Sequence, residues 1–241
     1  MSKTLYIDGK WTSPVEGHTW NVNSPADGHL VATVAEATNV DVELAINAAR
    51  RAFDSGEFSN WGFAKRSELV AKIADLMERD LKILAKLESD DTGKRLIEAE
   101  YDISDVIACF RHFAKLGRAQ HERKVEIAQS NIDSRVVHEP VGVCTLIGPW
   151  NYPLLQVSWK VAPALVAGCT FIVKPAELTP STAIHLFKLI DEAGVPAGVA
   201  NLILGKGSAI GDALTSDPRV DLVSFTGSLA IGQRIMSLAS K

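Results

Sequence analysis

The chain has 241 residues, of which 46% are hydrophobic, 22% charged and 7% aromatic, with a formal net charge of −4. This composition is typical of a folded globular protein and argues against disorder. The basic residues are scattered, which argues against a nucleic-acid partner or an anionic membrane surface. The longest apolar stretch, residues 161–173, is too short to span a bilayer and contains Pro163 and Gly168.

The N-terminal sequence MSKTLYIDGKW lacks the apolar core of a signal peptide. The cysteines, at positions 109, 144 and 169, are odd in number and show no metal-ligand spacing, so we expect no metal site. Together these features favour reduced thiols and a cytoplasmic protein.

The first half of the chain predicts short strands followed by helices. Asp8-Gly9 suits a two-residue hairpin, because both turn positions need positive φ. From Asp41 onward, apolar residues recur on one face of a helix, and Asn39 or Thr38 is available as its cap. Two further helices are predicted over residues 67–87 and about 96–116, separated by glycine breakers.

Residues 125–139 predict two short strands around a polar turn. Their pattern is only weakly that of buried strands, so we expect a hairpin that projects and pairs with something else.

From residue 141 the chain alternates regularly between strands and helices. The predicted strand–helix units are 141–147 with 154–166, 170–174 with 181–193, 201–204 with 208–214, and 220–225 with a helix from about 229. The strands are continuously apolar, which predicts an α/β fold with a parallel sheet covered by helices on both faces.

Irregular polar or glycine-rich stretches follow each of these strands: GPWN, KPAE, GKG and TGS. Ligands of open α/β sheets bind outside the carboxyl ends of the strands, so this pattern predicts a binding site there. Gly205-Lys206-Gly207, with Gly211 following, resembles a phosphate-binding turn, but its GxGxxxG spacing makes it a weak signal.

The segment after the second of these strands indicates a nucleotide. Glu177 is placed to accept hydrogen bonds from ribose hydroxyls and would repel a 2′-phosphate, which favours NAD over NADP. The alternative is that Lys174 and Glu177 form an ordinary solvated pair in a loop.

Two other polar residues in this region also have ordinary interpretations. Asn151 could simply shape the turn into the next helix, for which Pro153 suits the first position. Lys160 lies among apolar residues on a helix that Pro163 is expected to kink, and its default role is to extend its ammonium to the surface.

These stretches resemble a known family. The run GPWNYPLLQVSWKVAPALVAGCTFIVKPAELTP resembles the start of the cofactor domain of NAD(P)-dependent aldehyde dehydrogenases, and DPRVDLVSFTGSLAIG resembles that family's Phe-Thr-Gly-Ser segment. LYIDGKW, NSPADGHLVATV and DTGKRLIEAE also match, so the resemblance covers essentially the whole chain. It implies a Rossmann-like cofactor-binding fold with a projecting hairpin.

The resemblance implies roles for particular residues. In this family a cysteine thiolate attacks the aldehyde carbonyl, and the asparagine matching Asn151 donates its amide to the resulting oxyanion. Lys160 matches a lysine to which the betaine-aldehyde branch assigns a charge-relay role. The implied cofactor is NAD, and the matching positions are Ile147, Gly148, Pro149, Trp150 and Asn151 around the pyrophosphate and nicotinamide ribose, Lys174, Pro175, Ala176 and Glu177 towards the adenine ribose, Gly207 beside the adenine, and Phe225, Thr226, Gly227 and Ser228 at the phosphate turn.

The resemblance also implies a substrate and an organisation. Tyr152 and Trp159 resemble two walls of the aromatic box with which betaine-aldehyde and ω-aminoaldehyde dehydrogenases hold a cationic group. Residues 1–124 and 140–241 are expected to form an incomplete NAD-binding domain, and 125–139 an oligomerisation hairpin. The family forms homo-oligomers, so this chain is expected to associate with a missing C-terminal half or a full-length subunit.

The general-base glutamate and nucleophilic cysteine of the family lie beyond the matched segments, and we expect no cysteine of this chain to replace the nucleophile. We therefore expect the catalytic domain to be absent and the chain alone to be inactive. Two alternatives stay open. One is an inactive fragment that binds dinucleotide or pairs with other subunits. The other is a relative of the semialdehyde or acyl-phosphate reductases preferring NADPH, which Glu177 disfavours.

Overall fold

The computed structural model describes residues 4–120, 122–127 and 131–240. The elements in chain order are β1 (Leu5–Ile7), β2 (Lys10–Thr12), β3 (Thr19–Asn23), β4 (Leu30–Ala35), α1 (Asn39–Asp54), α2 (Phe63–Arg79), α3 (Leu81–Thr92), α4 (Leu96–Arg118), β5 (Arg123–Lys124), β6 (Arg135–Val136), β7 (Val143–Ile147), α5 (Pro153–Ala167), β8 (Thr170–Lys174), α6 (Ser181–Ala193), β9 (Ala200–Leu202), α7 (Gly207–Ser216), β10 (Leu222–Phe225) and α8 (Leu229–Ala239).

A six-stranded sheet in the order β10-β7-β8-β9-β1-β2 forms the centre of the fold. The strands β10, β7, β8 and β9 are mutually parallel, which confirms the predicted α/β class. The N-terminal hairpin adds two further strands to this parallel part of the sheet, because β1 pairs antiparallel with both β9 and β2. Asp8 and Gly9, with φ of 53° and 74°, make the predicted tight turn that folds β2 back onto β1.

Helices cover both faces of this sheet. The helices α1 and α7 pack together, and the buried hydroxyls of Thr170 and Thr145 bond from the sheet to the carbonyls of Ala49 and Leu214 on these two helices. The helices α5 and α6 pack against β7, β8 and β9, and α2, α3 and α4 form an outer layer over them. Every residue of β7 and β8 is buried, as their continuous apolar runs predict.

The helices of the first half differ in one respect from the prediction. Thr38 caps α1, where the Asp41 carboxylate accepts the Thr38 N–H at 2.8 Å. The predicted single helix over 67–87 is instead two helices, α2 and α3, which meet at Asp80 with φ −97° and ψ 14°. The Asp80 carboxylate is bonded to Arg79 and to His185 on α6, so contacts with another part of the chain stabilise the break.

The segment predicted as a projecting hairpin contains shorter strands than expected. β5 and β6 pair antiparallel, with Arg123 opposite Val136, and β5 lies just before the predicted range of 125–139. Both strands are exposed. The predicted turn falls partly on 128–130, outside the described residues, and the association of this hairpin with a partner stays a prediction.

Within the described ranges, none of the helices has the length and apolarity needed to cross a membrane. The same residues contain no group of His, Cys, Asp and Glu side chains arranged to hold a metal ion.

Candidate functional site

The carboxyl ends of β7, β8 and β10 open on a cleft with a volume of about 940 Å³. Almost every residue that the sequence assigns to the cofactor lines this cleft: Ile147, Gly148, Pro149, Trp150, Asn151, Lys174, Ala176, Glu177, Gly207, Phe225, Thr226, Gly227 and Ser228. Pro175 is the exception. It does not line the cleft, and its carbonyl accepts a hydrogen bond from the Lys174 ammonium at 3.0 Å.

The loop after β7 places Asn151 at the mouth of the cleft. Gly148 is required where this loop begins, because a Cβ there would lie 2.9 Å from Val157 Cγ2. Pro153 is the first residue of α5, and Tyr152, not Asn151, is its N-cap. Asn151 is exposed, and its amide makes no hydrogen bond within the described part of the chain. An asparagine that shapes a turn bonds to nearby backbone, so this geometry favours an amide that is free to donate.

Lys174 and Glu177 are not the solvated pair of the alternative interpretation. Lys174 is 3% exposed, and burial lowers the pKa of its ammonium below the usual range. The Glu177 side chain is 44% exposed, and its Oε2 lies 3.7 Å from Lys174 Nζ. The backbone carbonyl of Glu177 accepts the Trp20 indole N–H at 3.2 Å. The carboxylate is therefore held at the edge of the cleft with oxygen lone pairs open to a ligand.

Lys160 does not reach the surface, contrary to the default expectation. It is 9% exposed, and its Nζ donates to the Thr226 hydroxyl at 2.7 Å, in the loop that follows β10. Burial lowers the pKa of Lys160. The helix α5 continues through Pro163 to Ala167. The ammonium does not itself line the cleft, but it bonds directly to a residue that does.

Two helices begin at this cleft. Gly207 is the first residue of α7, and Ser228 caps α8, where its hydroxyl accepts the Ile231 N–H at 3.4 Å. The unpaired N–H groups of a first helical turn, with the positive end of the helix dipole, favour an anion. Gly227 must lack a side chain, because a Cβ would lie 2.4 Å from the Phe225 ring.

The cleft contains further residues that the sequence analysis did not assign to it. They are Gln156 on α5, Ser208, Gly211 and Asp212 on α7, and Ile231, Arg234 and Ile235 on α8. Those on α7 follow Gly207 by one, four and five residues, with Gly211 already part of the GxGxxxG stretch, and those on α8 follow Ser228 by three, six and seven. Recurrence on one helix face was the available signal. Gln156 Oε1 is buried and has no hydrogen-bond partner within the described residues.

None of the cysteines lines the cleft. Cys109 is half-buried on α4, whereas Cys144 and Cys169 are each 3% exposed and lie side by side between β7 and the start of β8. The neighbouring Cys144 thiol and backbone N–H groups at Gly142 and Val141 lower the pKa of Cys169 below its usual range. Cys169 is buried outside the cleft, which argues against its acting as a nucleophile on a substrate there.

A mostly parallel α/β sheet with a polar cleft at the carboxyl ends of its strands defines a class of proteins that bind ligands at that edge. Residues 11–241 match the model of the Aldehyde dehydrogenase family. The chain belongs to this family.

Similar proteins include betaine aldehyde dehydrogenase of Bacillus subtilis, which is 48% identical over 100% of this chain and 49% of its own length. Peroxisomal aminoaldehyde dehydrogenase 1 of Malus domestica is 42% identical over 100% of this chain and 49% of its own. A crystal structure of Staphylococcus aureus betaine aldehyde dehydrogenase in complex with NAD+ superimposes with a TM-score of 0.96 at 44% identity, covering 100% of this chain and 48% of that one. The chain thus spans about half the length of the relatives it matches.

Proposed function

We propose that this chain is the cofactor-binding half of an NAD-dependent aldehyde dehydrogenase and supplies the asparagine that stabilises the oxyanion. The observation that carries the proposal is the cleft itself. At one side a buried lysine and a half-exposed carboxylate follow β8, and at the other a helix N-terminus follows β10. Such a site suits a molecule with ribose hydroxyls and a pyrophosphate.

The residues present fit a dinucleotide. A volume of about 940 Å³ is at the upper end of the usual range for small-molecule sites. Glu177 would accept hydrogen bonds from the adenine ribose, and the N-terminus of α8 at Ser228 would hold the pyrophosphate. Bound NAD would supply the acceptor for the hydride that leaves the substrate carbon. The crystal structure of the Staphylococcus aureus relative contains NAD+, which supports the same choice here.

Asn151 is the chain's own contribution to the chemistry. Its exposed amide stands at the mouth of the cleft, where it would donate to the oxygen that becomes negative when a nucleophile adds to the aldehyde. A fixed donor of this kind contributes roughly 3–4 kcal/mol in comparable oxyanion holes. Lys160, through Thr226, would hold the loop on the opposite side of the cleft and would place a buried ammonium there.

We propose an aldehyde carrying a cationic group as the substrate, such as betaine aldehyde or an ω-aminoaldehyde. Tyr152 and Trp159 are 44% and 52% exposed, at the N-cap and in the middle of α5. The Trp159 ring and the side of the Tyr152 ring away from Lys94 are available to a cation. The names of the Bacillus subtilis and Malus domestica relatives point to the same two substrates. The complete reaction requires a nucleophile from outside this chain.

The rival proposal is an inactive module that binds dinucleotide or pairs with other subunits. The absence of any cysteine among the residues that line the cleft favours it. Both proposals include a dinucleotide in the cleft. They differ in that the main proposal predicts aldehyde oxidation once a complementary half is added, and the rival predicts none.

Isothermal titration calorimetry on the chain tests the cofactor assignment. We expect NAD to bind more tightly than NADP, because the Glu177 carboxylate would repel a 2′-phosphate. Glu177→Gln removes the charge and should bring the two affinities together, whereas Glu57→Gln, a change at an exposed glutamate outside the cleft, should leave their ratio unchanged. Equal affinities in the unmodified chain would refute the assignment.

A further inference from the structure

A lysine from the loop between α3 and α4 contacts the loop that holds Asn151. The Lys94 ammonium is 13% exposed and lies 2.6 Å from Asp102 Oδ2 and 3.4 Å from Glu88 Oε1. It also donates to the Asn151 backbone carbonyl at 3.2 Å. The same ammonium lies 4.7 Å from the centre of the Tyr152 ring.

We infer that Lys94 is the positioning residue for the oxyanion asparagine, holding the backbone of Asn151 and the ring of Tyr152 in place from the rigid helical layer. The inference rests on the proposed function of Asn151. It adds a residue that is about 57 positions away in the chain and does not line the cleft.

Lys94 is itself firmly held. Its carbonyl accepts the Ser89 hydroxyl at 2.7 Å, and its N–H donates to the Thr92 hydroxyl at 3.3 Å. Gly93 before it has φ 72°, and a Cβ there would lie 2.9 Å from Pro25 Cγ, so this turn would be strained with a side chain. Glu88 on α3 and Asp102 on α4 then fix the ammonium. Two separate helices thus fix the lysine end of the contact.

The loop that contains Asn151 needs such an anchor. Trp150 is 59% exposed and Tyr152 44% exposed, so the side chains flanking Asn151 are not held by the core. Catalysis by an oxyanion donor depends on its fixed position, and a displacement of about 1 Å can cost roughly a hundredfold in rate. The charge-assisted hydrogen bond from the Lys94 ammonium to the backbone carbonyl of Asn151 limits that displacement.

Nuclear magnetic resonance can test the contact without catalysis. Asn151-Tyr152 is the only Asn-Tyr pair in the sequence. A chain with carbonyl-¹³C asparagine and ¹⁵N tyrosine therefore gives one cross-peak that connects the Asn151 carbonyl to the Tyr152 amide. We expect Lys94→Met to shift this carbonyl resonance upfield, as loss of a donor does. Lys86→Met, which removes an exposed lysine paired with Asp90 on α3, should leave it in place.

The Lys94→Met change also leaves Asp102 and Glu88 without their cation, which can impair folding. Asp102→Asn is the second variant, since it keeps Lys94 but removes its 2.6 Å partner, and it should shift the same resonance by a smaller amount. An unchanged carbonyl resonance in both variants would overturn the inference.

Kinetics of the chain assembled with a complementary catalytic half give the second test. We expect Lys94→Met to lower kcat by roughly tenfold to a hundredfold, with little change in KM for NAD, and Lys94→Arg to recover most of the loss. A change confined to KM for NAD, or full activity in Lys94→Met, would contradict the inference. If the unmodified assembly is inactive, the proposed function fails, while the carbonyl resonance still decides whether Lys94 holds Asn151.

Discussion

Glu88 is a fully buried carboxyl group whose ionisation opposes folding. Burial raises its pKa from the ordinary 4.5 to about 7, and the nearby Lys94 ammonium only partly offsets this effect. Asp102 and the Thr182 hydroxyl also face it, from α4 and α6. Because the pKa is higher in the folded state, the folded protein keeps a proton that the unfolded chain loses. Stability is therefore lost as the pH rises from about 4.5 to about 7.

We predict that this group lowers the free energy of unfolding by roughly 3 kcal/mol between pH 4.5 and pH 7.5, from the size of the pKa shift. Glu88→Gln should flatten that part of the stability curve, since a glutamine has no proton to lose. Urea unfolding at several pH values measures the effect. Glu57→Gln, at an exposed glutamate, should reproduce the wild-type slope. Parallel curves for wild type and Glu88→Gln would show that Glu88 ionises normally in the folded protein.

In the candidate site, the sequence predicted which residues lie in the cleft better than it predicted their burial and contacts. All but one of the residues that the family motifs assign to the cofactor line the cleft, because strand ends in a parallel sheet meet at one edge. Environments were harder to predict. Lys160 was expected at the surface, yet a hydroxyl 66 positions further along the chain lets its ammonium stay buried. The contact from Lys94 to Asn151 joins two distant loops, and no local pattern indicates it.

Helices and strands that depend on a local pattern were likewise predicted, whereas those that depend on contacts distant in the chain were not. The helices α4 to α8 and the strands β7 to β10 follow from apolar periodicity, since each buries a regular face or is buried entirely. The break between α2 and α3 does not, because Arg79-Asp80-Leu81 contains neither glycine nor proline. At the break, the Asp80 carboxylate accepts a hydrogen bond from the His185 imidazole on α6. The antiparallel edge likewise depends on β1 reaching β9, almost two hundred residues later.

The last helix, α8, is the least covered helix in the described part of the chain. None of the residues of α8 is buried, and Leu229 and Met236 are 79% and 73% exposed. The adjacent strand β10 lies at the edge of the central sheet, with one side unpaired within the described residues. Apolar side chains next to an open strand edge promote association between molecules.

We predict that the isolated chain self-associates through this region. Leu229→Lys combined with Met236→Lys should raise the monomer fraction in analytical ultracentrifugation, because charge at both positions disfavours apolar contact. Ile83→Lys, a comparable change at a 52% exposed position on α3, should have no such effect. An unmodified chain that stays monomeric at high concentration would contradict the prediction.

At the scale of the whole molecule, the exposed α8 and the incomplete chemistry of the cleft have one explanation. The chain spans about half the length of its relatives, and no cysteine lines the cleft in which an aldehyde would react. Under the proposed function, a second chain corresponding to the unmatched part of these relatives would supply the nucleophile and would cover the apolar surface at α8. Nucleophile and base act as a unit, so we expect the chain alone to form no NADH from an aldehyde.

We predict that co-expression with the C-terminal half of the Bacillus subtilis relative raises the soluble yield of the chain and produces NADH from NAD and betaine aldehyde. In that assembly Asn151→Ala should lower kcat by roughly a hundredfold or more, because one oxyanion donor is lost. Asn60→Ala, at an exposed asparagine away from the cleft, serves as the control. A chain that unfolds cooperatively as a monomer and forms no complex with the added half would contradict the prediction. It would instead be a self-sufficient binding module, since neither its surface nor its chemistry would need a partner.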